Sequence, residues 1–217
     1  MKRYRLLNEV LIEWNESSNE GPDNVFLKSK DIKKSLERYF VYKLNEKDQI
    51  KVFDIDWPEF EKYKDKVWIN GKHVELNGCY TIDMFEPGKY KVYIEDIDKV
   101  TDMTYMFYDC KQLVSAFIPN FVTSISDWAF VGCSGLMSIV IGENVTVIGY
   151  CVFESCSGLT SVTIPNSVTS ISNSAFSHCN NLKTVYVEDI NKFKQINFAD
   201  KTAEPRCYGA KLIELKK

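Results

Sequence analysis

Residues 122–142 read VTSISDWAFVGCSGLMSIVIG, and residues 145–165 read VTVIGYCVFESCSGLTSVTIP. Working outward, residues 168–187 read VTSISNSAFSHCNNLKTVYV, and residues 100–119 read VTDMTYMFYDCKQLVSAFIP. The last of these is one residue short between Met103 and Phe107. Cys110, Cys133, Cys156 and Cys179 follow one another at intervals of 23 residues. Phe107, Phe130, Phe153 and Phe176 keep the same step three residues earlier, and Leu113, Leu136, Leu159 and Leu182 keep it three residues later. Ile118, Ile141, Ile164 and Val187 close the units. Self-similarity at a fixed period of this size means a solenoid, because one such unit cannot bury its own apolar face and must stack on its neighbours.

Each unit ends in the pattern L-x-x-V-x-I. Alternation along a strand then places Ala116, Ile139, Val162 and Val185 inside with Ile118, Ile141, Ile164 and Val187. The phenylalanines and the residues before them pack from the opposite side. This ending resembles the leucine-rich repeat. The full signature, V-T-x-I-x-x-x-A-F-x-x-C-x-x-L-x-x-V-x-I-P, resembles the bacterial surface-antigen (BspA-type) repeat, and VTDMTYMFYDC resembles its variant with a MxxMF core. The resemblance covers about residues 90–187. It implies a parallel β-sheet and a role in adhesion or host-surface recognition.

The expected fold class is an α+β N-terminal domain followed by a short leucine-rich-repeat solenoid with a parallel β-sheet and a 23-residue period. Strands are expected at about residues 91–94, 115–118, 138–141, 161–164 and 184–187, all in one sheet. KVYI at 91–94 is expected to add an edge strand directly beside the first unit, and KLIEL at 211–215 to form a terminal strand. Charge supports a division: residues 1–99 hold 18 basic and 20 acidic residues, residues 100–187 only 2 and 5. The expected organisation is 1–88, an N-terminal α+β domain or cap; 89–187, the solenoid; and 188–217, a C-terminal cap.

Before the solenoid the signals are local. Residues 3–14 fit either a helix or a strand. The polar stretch 15–24 with Gly21-Pro22 reads as a loop. Ser29 can cap a helix over 30–43 that buries Ile32, Leu36, Tyr39 and Phe40. Residues 49–55 read as a strand, and residues 57–63 as a short helix opened by Pro58. Asn70-Gly71 between two short strands predicts a hairpin with a type I′ turn.

Composition bounds the function. The chain has 217 residues, 45% of them hydrophobic and 26% charged, with a net charge of −3. This is globular composition, with no electrostatic grip on nucleic acid and no apolar run long enough for a membrane span. Asn8, Glu9 and Glu13 interrupt the N-terminal apolar run, so no secretion signal is read. The expected location is cytoplasmic or within an assembled particle, although the resembled family is often at the cell surface.

Chemistry is sparse. The seven cysteines are an odd number, and the four at the repeat period should form a buried ladder of reduced thiols, a structural role free Cys commonly takes. No spacing suits structural zinc. His178 beside Cys179 is not a plausible dyad, since Cys179 is a ladder residue and a nucleophile must be accessible. The other histidine, His73, sits in the hairpin. Asp54/Asp56 and Asp96/Asp98 read as solvated strand ends or turn caps rather than as a catalytic pair. The sequons at Asn15 and Asn144 matter only in a glycosylating compartment. No catalytic residue, metal site or cofactor is expected.

The functional expectation is therefore a non-catalytic protein-interaction or adhesion module that uses the solenoid's concave face. A structural component of a larger assembly such as a phage virion, and an enzyme with an N-terminal site, stand as alternatives. The residue between the two inward positions of each strand points outward. Tyr93, Phe117, Val140, Thr163 and Tyr186 are accordingly the expected partner-binding row, and Lys91, Ser115, Ser138, Ser161 and Thr184 its neighbour. Aromatic and β-branched residues also simply suit strands, so the row has a purely structural reading too. The partner class is a protein or a surface glycan.

Overall fold

The computed structural model describes residues 2–7, 10–15 and 39–215, with side chains from residue 40 onward. The N-terminal stretch that fitted either element is a pair of strands: β1 (Lys2–Leu7) and β2 (Val10–Asn15) run antiparallel with Leu7 opposite Val10. Residues 16–38, and with them most of the expected loop and helix, lie outside the described residues.

The C-terminal end of that expected helix is a strand instead, β3 (Tyr39–Leu44). Phe40, Tyr42 and Leu44 are buried while Lys43 is exposed, a period of two that suits a sheet and not a helix. Residues 49–55 form no named strand either. They run as a buried segment with Ile50, Val52 and Phe53 inside, tied by isolated bridges from Asp48 to Phe85 and from Lys51 to Tyr80. The expected helix over 57–63 is a single turn, α1 (Phe60–Tyr63), with Pro58 before it.

The hairpin forms as read: β4 (Val67–Ile69) and β5 (Lys72–Val74) pair with Ile69 opposite Lys72. Asn70 and Gly71 both have positive φ, 49° and 81°, as a type I′ turn requires. The short strands β6 (Leu76–Asn77) and β7 (Tyr80–Thr81) make a small separate ladder. They lead to β8 (Gly88–Ile94).

The solenoid contributes one long strand per coil: β9 (Leu113–Phe117), β11 (Ser138–Val140), β13 (Ser161–Ile164) and β15 (Thr184–Val187). These pair in parallel and in strict repeat register, with Ser115, Ser138, Ser161 and Thr184 opposite one another. A second parallel sheet carries one short strand per coil: β10 (Ser124–Ile125), β12 (Val147–Ile148), β14 (Ser170–Ile171) and β16 (Asn197–Phe198). The first unit, the one that is a residue short, has no strand in this sheet. After β15 come a one-turn helix α2 (Ile190–Phe193), capped by the Asp189 side chain, and the terminal strand β17 (Lys211–Glu214). β17 pairs in parallel with β15 and ends the sheet.

The expected position of 91–94 is corrected by the sheet order, which is β17-β15-β13-β11-β9-β3-β8-β4-β5. β8 does not lie beside β9. β3 is inserted between them, antiparallel to both. The edge on that side is β5, so the N-terminal strands extend the solenoid sheet as one nine-stranded surface.

The core is equally continuous. Phe107, Phe130, Phe153 and Phe176 stack ring to ring at 5.0, 5.6 and 5.2 Å between centroids. Phe40 prolongs the stack 4.8 Å from Phe107, and Phe53 lies between Phe107 and Trp57. Each repeat thiol donates to the carbonyl of the preceding coil's phenylalanine: Cys133 to Phe107, Cys156 to Phe130 and Cys179 to Phe153, at 2.9–3.1 Å. Cys110 has no preceding coil, and its Sγ faces the Val52 carbonyl at 3.9 Å instead. The four thiols are buried and free. Burial pushes all four up, Cys179 to about 12. Native protein treated with a thiol reagent at pH 8 should therefore leave Cys110, Cys133, Cys156 and Cys179 unmodified while half-buried Cys79 and Cys207 react. Mass spectrometry after labelling, with a denatured control that modifies all seven, checks this. Rapid native labelling of the four would refute the buried ladder.

Candidate functional site

The outward row of the long sheet was the expected binding surface. Val140, Thr163 and Tyr186 stand opposite one another on β11, β13 and β15, followed by Ile213 on β17. All are partly or well exposed, while Ile139, Val162 and Val185 between them are buried. Phe117 is in register with Val140 but only 9% exposed. Its ring stacks on fully buried Phe40 at 5.3 Å. Tyr93 is separated from β9 by β3, where the residue opposite it is Tyr39. On its other side Tyr93 faces Trp68, whose ring meets His73 edge-on at 5.3 Å. Trp68, Asn70, Gly71, Lys91 and Tyr93 line a concavity at this end of the sheet. The five expected residues thus lie at three places on one sheet. Val140, Thr163 and Tyr186 lie at the solenoid end, Tyr93 lies at the hairpin end, and Phe117 is packed between them.

The remaining candidates have structural partners. Asp54 is buried, accepts the backbone N–H of Asp56 and pairs with Lys51 at 2.7 Å. Asp96 pairs with Lys66 and Lys99, whose hydrogen bonds hold its carboxyl down at about 2. His73 is bonded to the Asp65 carbonyl. His178 is exposed with its Cys179 neighbour buried, so the adjacent pair does not share an accessible surface. Among the described residues, no three or more His, Cys, Asp or Glu side chains gather as metal ligands.

A second surface escaped sequence reasoning. Every coil contains two left-handed residues in its turn face: Tyr105 and Asp109, Trp128 and Gly132, Cys151 and Ser155, Ser174 and His178, with φ between 53° and 71°. The cause is the direction of their N–H groups. Trp128 N–H donates to the Tyr150 carbonyl at 3.0 Å, Gly132 N–H to Glu154 at 2.9 Å and Ser155 N–H to Ser177 at 2.8 Å. A left-handed residue turns its N–H along the stack, so the turn face is bonded coil to coil without being a sheet. Tyr105 and Trp128, one repeat apart, stack at 5.1 Å and 4°. Tyr150 meets Trp128 edge-on at 5.6 Å, and Tyr108 meets Tyr105 the same way. The signal was present, since Tyr105 and Trp128 share the repeat register.

Comparison with known proteins adds the following. Residues 102–204 match the family model described as a BspA type leucine rich repeat region. None of the curated proteins matches the sequence. A leucine-rich repeat protein of T. pallidum is 26% identical over 44% of this chain and 60% of its own, with a TM-score of 0.33. A leucine-rich cell surface protein of Faecalibacterium prausnitzii is 25% identical over 56% of this chain and 43% of its own, with a TM-score of 0.33. The chain thus spans less than two thirds of the length of either.

Proposed function

We propose, from the premise that residues 102–204 belong to the BspA-type leucine-rich repeat family, that this chain is a non-catalytic protein-interaction module. Family membership supports interaction with a protein, since repeat solenoids present an extended surface for binding. The single observation that carries the location is the nine-stranded sheet with one outward row that is almost free of charge. Val140, Thr163, Tyr186 and Ile213 occupy it at the solenoid end, and Tyr93 with Trp68 at the hairpin end. Such a row desolvates cheaply, and Tyr and Trp are favoured where binding energy concentrates. Phe117 acts from below by fixing the sheet where β3 meets β9. The finer reading is adhesion, with the sheet face holding a protein on another surface. Among the described residues no helix is long and apolar enough to cross a membrane.

The test compares proteins retained by the immobilised full chain with those retained by Tyr93→Ala/Tyr186→Ala. Each substitution should weaken a genuine sheet-face partner by about fivefold or more, roughly 1 kcal/mol. Equal retention of every partner by both forms would remove the sheet face as the site.

A further inference from the structure

The first left-handed position of each coil is filled by Tyr105, Trp128, Cys151 and Ser174 in turn. A bulky side chain is disfavoured there, and Gly or Asn is the ordinary occupant. Cys151 and Ser174 show that the coil needs nothing larger. Two successive coils nevertheless carry the largest aromatic residues, stacked face to face. Tyr108 and Tyr150 meet this stacked pair edge-on, yet as residues they remain 38% and 41% exposed. The result is a band of four aromatic rings across three adjacent coils, on a different face from the sheet row. Bulky rings kept at a backbone position that disfavours them point to use.

Charge indicates the user. Residues 100–187 contain Lys111 and Lys183 as their only cations. Lys111 is paired with Asp109. Lys51, which reaches the Tyr108 carbonyl, is paired with Asp54. Asp127 precedes Trp128, and among the described residues its carboxylate accepts the neutral N–H of Tyr150, at 2.7 Å, and has no ion pair. Glu154 lies in the turn face one coil further and has no ion pair among the described residues. Aromatic faces beside unneutralised carboxylates attract guanidinium and ammonium groups, by cation–π contact and by direct charge. Three coils at about 4.8 Å spacing match roughly three residues of extended chain at about 3.3 Å each.

We propose that the turn face formed by Tyr105, Tyr108, Trp128 and Tyr150, with Asp127 and Glu154, docks an arginine- or lysine-bearing extended segment of a partner protein. This surface is separate from the sheet row, and the two stand or fall independently.

The probe is a fluorescein-labelled nonapeptide of alternating Arg and Gly, titrated with the full chain and read by anisotropy. A peptide with Glu in place of Arg is the control. The variant Tyr105→Ser/Trp128→Ser takes the residue that the fold itself uses at Ser174, and should lower affinity about tenfold or more. Tyr108→Ala/Tyr150→Ala removes the exposed rings without touching a left-handed position, and should lower it severalfold even if the first variant folds poorly. Asp127→Asn/Glu154→Gln should lower affinity severalfold and flatten its salt dependence. Tyr93→Ala/Tyr186→Ala should bind the peptide as the wild type does. Binding of the Glu peptide as tight as the Arg peptide, no binding of the Arg peptide to wild type, or aromatic variants within twofold of wild type would each overturn the proposal.

Discussion

Phe153→Ala is expected to destabilise the chain by about 3–5 kcal/mol. Phe153 is fully buried, with Phe130 and Phe176 stacked on its two faces at 5.6 and 5.2 Å. Its N–H donates to the Ala175 carbonyl, and its own carbonyl receives the Cys179 thiol. Backbone and thiol bonds on both sides hold the neighbouring coils at their spacing, so the space left by the ring cannot close by collapse. An unclosed cavity places the cost at the upper end for a core truncation. Against a total stability of about 5–15 kcal/mol, the loss is a large fraction, and Tm should fall by on the order of 10 °C. Urea unfolding of wild type and variant measures it. A change below about 1 kcal/mol would show that the phenylalanine stack is not the principal core.

Trp57→Ala should cost as much, about 3–5 kcal/mol, although Trp57 lies outside the repeats. Its ring is 2% exposed, between Phe53 at 4.9 Å and Tyr63 at 5.3 Å. Its indole N–H donates to the Asp102 carbonyl at 2.6 Å, at the start of the first coil. Truncation removes apolar volume and leaves that carbonyl without its donor. Glu59 reinforces the same joint by accepting the N–H groups of Thr101 and Asp102. Gln112 ties the other side, to Asp48, Gln49 and Lys51. Because these bonds and the aromatic stack cross from cap to coil, the variant should unfold in one transition at lower denaturant. A separate early transition, with the repeats retained at wild-type stability, would show that the cap folds independently.

The repeats were legible because their spacing is a physical necessity. Phe, Cys and Leu recur at 23 residues because coils of equal length that stack in register bring the same core positions together, and the inward positions of β11, β13 and β15 lie where alternation puts them. The Asn70-Gly71 turn was legible for a local reason, since few other residues adopt two positive φ values in succession. The junction was not. In residues 39–44, Phe40 fits a helical stripe begun at Ile32 and Leu36, and also the period of two shared with Tyr42 and Leu44. Pairing with β8 and β9, about fifty and seventy residues away in sequence, decides in favour of the strand. The same long-range pairing buries Phe117, which its own strand pattern placed outside. The turn-face aromatics were missed because attention to strand periodicity overlooks residues whose direction is set by a positive φ.

The left-handed turn face has one further consequence. Its coil-to-coil bonds depend on backbone direction and on the 23-residue step, with few demands on which coil is the donor. Tandem duplication or deletion of a whole unit by unequal recombination would therefore leave every remaining bond with an equivalent partner. Val52 would still meet the first thiol, and β17 would still close the last strand. The chain's length is thus free to vary in steps of one coil, and a coil of another length fits where its extra residues lie between the bonded faces, as in the last coil, where Ser170 pairs with Asn197 and Thr184 with Lys211, each 27 residues on.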